Sequence, residues 1–123
     1  MNTFHYYKLD YAEVLVFENY LINQVSEGVL VKTSDVDRLR DIIIKHFSDN
    51  PWVYISNRVF SYSVDPMSYK KASKIKNLRG IVIVAPDEMK MEMAQFEQNF
   101  SDIPVTILET LTQAIVWADQ LCS

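Results

Sequence analysis

Apolar and polar positions recur along this chain with two different periods, and the switches between them outline its elements. Residues 13–17 (EVLVF) and 20–25 (YLINQV) are β-branched and aromatic runs separated by Glu18 and Asn19. Two turn residues between two such runs predict a hairpin, with Asn19 suited to a positive φ. The second strand is expected to continue through residues 29–31, with Glu27 and Gly28 as a bend or bulge. An aromatic arm over residues 4–9 reads as extended, and its pairing partner stays open.

The period then lengthens. Ser34 stands where an N-cap would, and Asp37 holds the place a capping box gives to an acid. A helix over 35–47 aligns Val36, Leu39, Ile43 and Phe47 on one stripe, widened by Ile42. Asp49, Asn50 and Pro51 end it. A short apolar strand, 52–56, empties into an aromatic, serine-bearing loop, and Asp65-Pro66 opens a helix over 66–77. Asp65 can cap that helix, while Pro66 already has the φ its first position needs. Its inward stripe is Ser68, Tyr69, Ala72 and Ile75.

Residues 78–85 (LRGIVIVA) form an unbroken apolar run, as in a strand covered on both faces, and Pro86 stops it. A third helix over 87–99 sets Met89, Met93 and Phe96 on an inward stripe continued by Phe100, with Met91 pointing the other way. Residues 104–108 make the next strand. Thr110 with Gln113 then forms a capping box for a last helix ending near Leu121, with Leu111, Ala114, Ile115 and Ala118 inward. An N-terminal β-hairpin followed by βαβαβαβα-type alternation predicts an α/β fold. Its sheet is mostly parallel, flanked by helices on right-handed crossovers. With 123 residues and neither repeat nor linker, residues 1–123 read as a single domain.

Composition narrows the setting. Hydrophobic residues make up 49% and charged residues 23%, with only two glycines and four prolines, which fits a packed core rather than disorder. The single cysteine, Cys122, has no internal partner and suits a reducing compartment. The opening residues, Met1-Asn2-Thr3-Phe4-His5, show neither the basic nor the apolar segment of a signal peptide. No apolar run reaches the ~18 residues that span a bilayer. A cytoplasmic protein is therefore expected. A net charge of −4 disfavours nucleic acid as a partner. The charge is uneven: six bases (Arg58, Lys70, Lys71, Lys74, Lys76, Arg79) and one acid (Asp65) fall between Arg58 and Arg79.

The run Trp-Val-Tyr-Ile-Ser-Asn-Arg over residues 52–58, followed by Ser-Tyr-Ser-Val-Asp-Pro over 61–66, carries a resemblance. With the order of elements from about Tyr11 to Leu121, it resembles the STAS domains. It is most similar to the small bacterial proteins grouped as SpoIIAA-like or STAS/Sec14-type. The resemblance implies a mixed sheet wound with helices, and regulatory or ligand-binding work rather than turnover. Anti-sigma-factor antagonists of this kind carry a phosphorylatable serine in a pattern like Asp-Ser-x-Gly. Here proline follows Asp65 and no glycine comes after, so that switch does not transfer residue by residue. The Sec14-like side of the resemblance brings in a lipid or other small apolar ligand.

The candidate contact surface runs from Asn57 to Tyr69, at the carboxyl end of the central strand, where ligands of open α/β sheets gather. Arg58 beside Asn57 either holds a carboxylate or phosphate through its planar fork or braces the loop against an acid. Phe60 and Tyr62 either line an apolar pocket or pin the loop. Ser61 and Ser63 either bond local backbone or take a phosphate near a helix start. Lys70, Lys71 and Lys74 share a helix face that is either solvated or turned to an acidic partner or anionic headgroups. The expected partners are a protein or a small apolar or anionic ligand, with homodimerisation left open.

Catalytic patterns are absent from the sequence. There are two histidines, His5 and His46, no paired cysteines and no zinc-ligand spacing. Gly28 and Gly80 cannot make a phosphate-binding loop, and no GxSxG elbow exists. His46, near a helix end, reads as a structural or rim residue favoured by the dipole. No metal, cofactor or reaction is expected, and a non-catalytic regulatory or binding module is the reading.

Overall fold

The structure, a computed structural model, describes residues 3–123; Met1 and Asn2 of the opening segment lie outside the described residues. In chain order the elements are β1 (His5–Lys8), β2 (Ala12–Val16), β3 (Tyr20–Val25), β4 (Leu30–Val31) and α1 (Thr33–Phe47). Then come β5 (Trp52–Asn57), β6 (Ser63–Val64), α2 (Pro66–Ala72), β7 (Leu78–Val84), α3 (Glu88–Glu97), β8 (Val105–Leu108) and α4 (Leu111–Cys122). Six strands build one sheet in the order β1-β2-β3-β5-β7-β8. β3, β5, β7 and β8 run parallel, while β1–β2 and β2–β3 pair antiparallel.

This order steps in one direction from β3 to β8, so right-handed crossovers place α1, α2 and α3 on one face. Helix α4, which follows β8, covers the other. Register makes the division visible. Leu21, Tyr54 and Ile81 align across β3, β5 and β7 and pack toward α1 and α2, whereas Ile22, Ile55 and Val82 align one residue on. These last three belong to the core containing Ala114 and Ala118 of α4. Gly80 lets α4 come this close: an added Cβ there would meet Trp117 at 2.9 Å.

The predicted hairpin, the α1 stripe, the buried β7 and the Thr110–Gln113 capping box are all present. The aromatic arm pairs with its own sheet as β1, His5 opposite Val16. Other expectations change. The β2–β3 turn closes with Phe17 N–H donating to the Tyr20 carbonyl (2.8 Å), and Asn19 has no positive φ. The segment after Gly28 does not prolong β3. Gly28, at φ +77°, redirects the chain so that Leu30 and Val31 pair in parallel with Ser63 and Val64. Helix α1 starts at Thr33 after Lys32, and the acid reaching back is Asp35, which accepts from Lys32 N–H at 2.9 Å. Helix α2 stops at Ala72, five residues early, and a run of turns carries the chain to Asn77 at φ 65°.

Helix α3 is rotated from its expected orientation. Ala94 and Glu97 are buried and Met91 is half-buried, while Met89, Met93 and Phe96 are exposed. Among the described residues no helix is long and apolar enough to cross a membrane.

His46 closes the far end of α1 against β1. Its Nε2 lies 2.5 Å from the Tyr7 hydroxyl and its ring centroid 4.5 Å from that of His5. Burial, then His5 and Lys45, lower its pKa below the ordinary 6.5, opposing the helix-end preference for the charged form. A base with a lowered folded pKa binds fewer protons folded than unfolded, so its stability contribution is complete above 6.5. That contribution is lost as pH falls through the lowered value. Chemical denaturation at a series of pH values is expected to show stability declining below pH 6.5, with His46→Gln flattening that part of the profile.

Candidate functional site

The carboxyl end of β5 delivers Ser56, Asn57 and Arg58 in succession, and pleat alternation sends Ser56 and Arg58 toward the α1–α3 face. The Arg58 N–H donates to the Val84 carbonyl at the end of β7 (3.2 Å), which fixes where its side chain departs. The side chain then runs inward and is only 3% exposed. Its Nη2 forms an ion pair with Glu97 of α3 and donates to the Tyr69 hydroxyl of α2 at 2.9 Å. Tyr69 donates in turn to the same Glu97 oxygen at 2.6 Å. Arg58 Nε reaches Ser56 Oγ at 3.5 Å, and its guanidinium carbon lies 4.9 Å from the Tyr62 ring centroid. Ser56 and Tyr62 close the set, oxygen to oxygen, at 2.5 Å.

The electrostatics follow from burial. Desolvation pushes the Tyr62 phenol above its ordinary value and that of Tyr69 well above it, despite the adjacent guanidinium, so both stay neutral. Burial works against charge on Arg58 too, but its pKa is raised, and with both phenols neutral the charge that holds it protonated is the Glu97 carboxylate. One cation, one carboxylate and two neutral phenols thus satisfy one another away from solvent.

The candidate residues separate into three groups. Arg58 and Tyr62 are internal: the Arg58 side chain is buried, with Nη2 used on Glu97 and Tyr69 and Nε turned to Ser56, and the Tyr62 ring packs with Tyr11, Ala12 and Val25. As contact residues they are corrected. Asn57 is half-buried and its Nδ2 donates to Gln24 Oε1 at 3.2 Å. Ser61 and Ser63 are exposed and pinned by their backbone. Ser61 N–H donates to Glu27 Oε1 (3.1 Å), its carbonyl accepts from Gly28 (2.8 Å), and Ser63 N–H donates to Val29 (2.9 Å). The loop after β5 therefore ends in strand pairing, since Ser63 and Val64 form β6.

The expected basic face is largely neutralised in space. Lys71 meets Asp37 of α1 at 2.8 Å, Lys70 meets Asp102 at 3.5 Å and Lys76 meets Asp49 at 2.6 Å. Lys74 is exposed and makes no ion pair among the described residues. These acids lie outside the basic stretch, so the charge segregation of the sequence does not survive folding.

Several large apolar side chains also reach solvent near the rim. Phe60 and Val59 are exposed on the loop, as are Met67 in the first turn of α2 and Met89, Met93 and Phe96 on α3. Met93 and Phe96 face Ser63, Val64 and Pro66 across a groove of 380 Å³, with Glu92 at its border. Glu97 and this groove were not legible as a site, because the Met89–Met93–Phe96 period reads as a core stripe. The available signal was Arg58 itself, a charge at the end of a core strand that calls for an acid. Among the described residues no group of three or more His, Cys, Asp or Glu is placed to hold a metal ion.

Comparison with solved structures decides the fold. An uncharacterised protein from Shewanella loihica PV-4, described as a DUF3478 family member with a SpoIIAA-like fold, superposes with a TM-score of 0.54. The match covers 95% of this chain and 93% of that one at 10% sequence identity. The chain has a SpoIIAA-like fold. No family model matches it, and no curated protein matches it significantly. Within the SpoIIAA-like frame, the advancing strand order leaves no point where helices diverge to opposite faces on either side of a parallel pair, the crevice that serves nucleotides in doubly wound sheets. The Arg58–Glu97 network fills the corresponding rim.

Removing one partner of a buried ion pair strands the other, at a cost of about 3–5 kcal/mol. Arg58→Met and Glu97→Met are each expected to lose stability of that order. The double variant should lose clearly less than their sum in a denaturant double-mutant cycle.

Proposed function

We propose that this SpoIIAA-like protein is a non-catalytic regulatory module that docks a segment of another protein along the Met93–Phe96 groove. The observation that carries the reading is the orientation of α3. Its buried side holds Ala94 and Glu97, and three of its long apolar side chains, Met93, Phe96 and Met89, are left in water, the last two at 63% and 69% exposure. Contiguous exposed apolar surface with a polar border is typical of interaction sites, and methionine accommodates varied partners. The ionisable groups at the rim bond one another, which favours binding over turnover.

Charge narrows the occupant. Glu92 borders the groove and the chain carries a net −4, so the complementary segment is apolar with a lysine or arginine beside its anchor. A second copy fits poorly, because a two-fold interface centred here would set Glu92 near its own symmetry mate. The phospho-switch reading is weaker for a related reason. Ser63 shares the groove with Glu92 and Glu97, and the Arg58 that would receive a phosphate is occupied.

Photo-crosslinking from position 96 in the protein's own cells tests this, with position 116 on α4 as the control. The expected product is a heterologous crosslink from position 96 alone, mapped by mass spectrometry to an apolar segment with an adjacent base. It should disappear on adding Met93→Glu. Crosslinking only to a second copy, or equally from position 116, would contradict the proposal.

A further inference from the structure

A second space lies inside the protein, between the sheet and the helices α1 and α2. Its volume is 60 Å³, and its walls include Leu39 and Ile43 of α1, Tyr69 and Ala72 of α2, and Asn23 and Tyr54 of the sheet. No charged side chain lines it. The size exceeds the ~10–15 Å³ that one water needs and falls below the ~150 Å³ of an apolar cavity that takes benzene.

Asn23 sets the chemistry. It is 1% exposed in the middle of β3, and its Nδ2 donates to the Tyr54 hydroxyl at 2.7 Å. Its Oδ1 has no partner. With the amide turned over, Oδ1 would accept the Tyr54 proton and Nδ2 would be left unpaired beside the Tyr54 oxygen, so an unused donor and an unused acceptor remain in either orientation. An unpaired buried carbonyl costs about 1–3 kcal/mol, a loss that a leucine at this position would avoid. Tyr54, having accepted from Asn23, still has its own proton, for which no acceptor is present among the described residues. Burial pushes its phenol far above the ordinary value, so that proton stays in place. An unused acceptor and an unused donor therefore adjoin one apolar cavity, the combination by which pockets orient a small ligand.

We infer that this cavity binds a small uncharged alcohol, or the uncharged hydroxyl-bearing end of a larger molecule. Its hydroxyl donates to Asn23 and accepts from Tyr54, and its apolar body of about three to five heavy atoms fills the space under α1 and α2. This site is separate from the Met93–Phe96 groove and does not depend on it.

The test uses two probes of equal heavy-atom count, propan-2-ol and acetone, titrated into the full chain and followed by two-dimensional NMR. Propan-2-ol is expected to give saturable shifts confined to the cavity lining, including the Asn23 side-chain amide. Acetone, which cannot donate, should bind about tenfold more weakly. Asn23→Leu and Tyr54→Phe should each weaken the alcohol, the former by about tenfold, which returns it to the level of the ketone. Equal binding of the two probes would overturn the inference. So would shifts that fail to saturate, or a crystal soaked in propan-2-ol that shows only water beside Asn23. The wild-type comparison decides the question even if Asn23→Leu does not fold.

Discussion

The ion pair between Arg58 and Glu97 is the constraint around which the rest of this structure is arranged. Neither charge would persist in the interior without the other, because the desolvation of each is offset only by close pairing and by hydrogen bonds to the remaining polar atoms. Tyr69 and Ser56 supply those bonds, and the Tyr62 ring covers the guanidinium. Through these contacts the end of β5 is joined to the loop after it, to α2 and to α3. Two successive crossovers become one packed unit.

The orientation of α3 follows. Only one side of a ten-residue helix can face the sheet, and with Glu97 on that side its i−3 neighbour Ala94 goes with it. Small Ala94 brings α3 close to Ile81 and Ile83, and the larger Met89, Met93 and Phe96 are turned outward. Exposed apolar surface on this helix is thus a consequence of the internal ion pair rather than a packing fault. The proposed contact face and the buried network adjoin on one helix, and Glu97 lies where they meet.

Much of the fold was legible because its signals are local. The α1 stripe, the capping box of Thr110 and Gln113, the β7 run and the two-residue separation of the hairpin each lie within one stretch of chain. What was not legible depends on distant partners. The β4–β6 pairing joins residues more than thirty positions apart and leaves two-residue strands with no periodicity to read. The lysines of α2 look like a free basic face until Asp37 and Asp102 are brought beside them from other elements. Arg58 was located correctly at the strand end, but whether it faced a ligand or an internal acid depended on Glu97, thirty-nine residues away. Apolar periodicity then misassigned α3, because a hydrophobic stripe counts for less than a buried charge that must be matched. Asn23 lay unremarked inside a predicted strand, and its significance needed the cavity beside it.

The most direct test of this account is hydroxyl-radical footprinting of the native protein at Met89 and Met91, two residues of the same chemistry on the same helix. With Glu97 drawn inward to Arg58, Met89 should oxidise much faster than Met91, since 69% of its surface is exposed and Met91 is half-buried. The reverse order, Met91 reacting first and Met89 protected, would place the helix in the opposite orientation and contradict the central role of the ion pair.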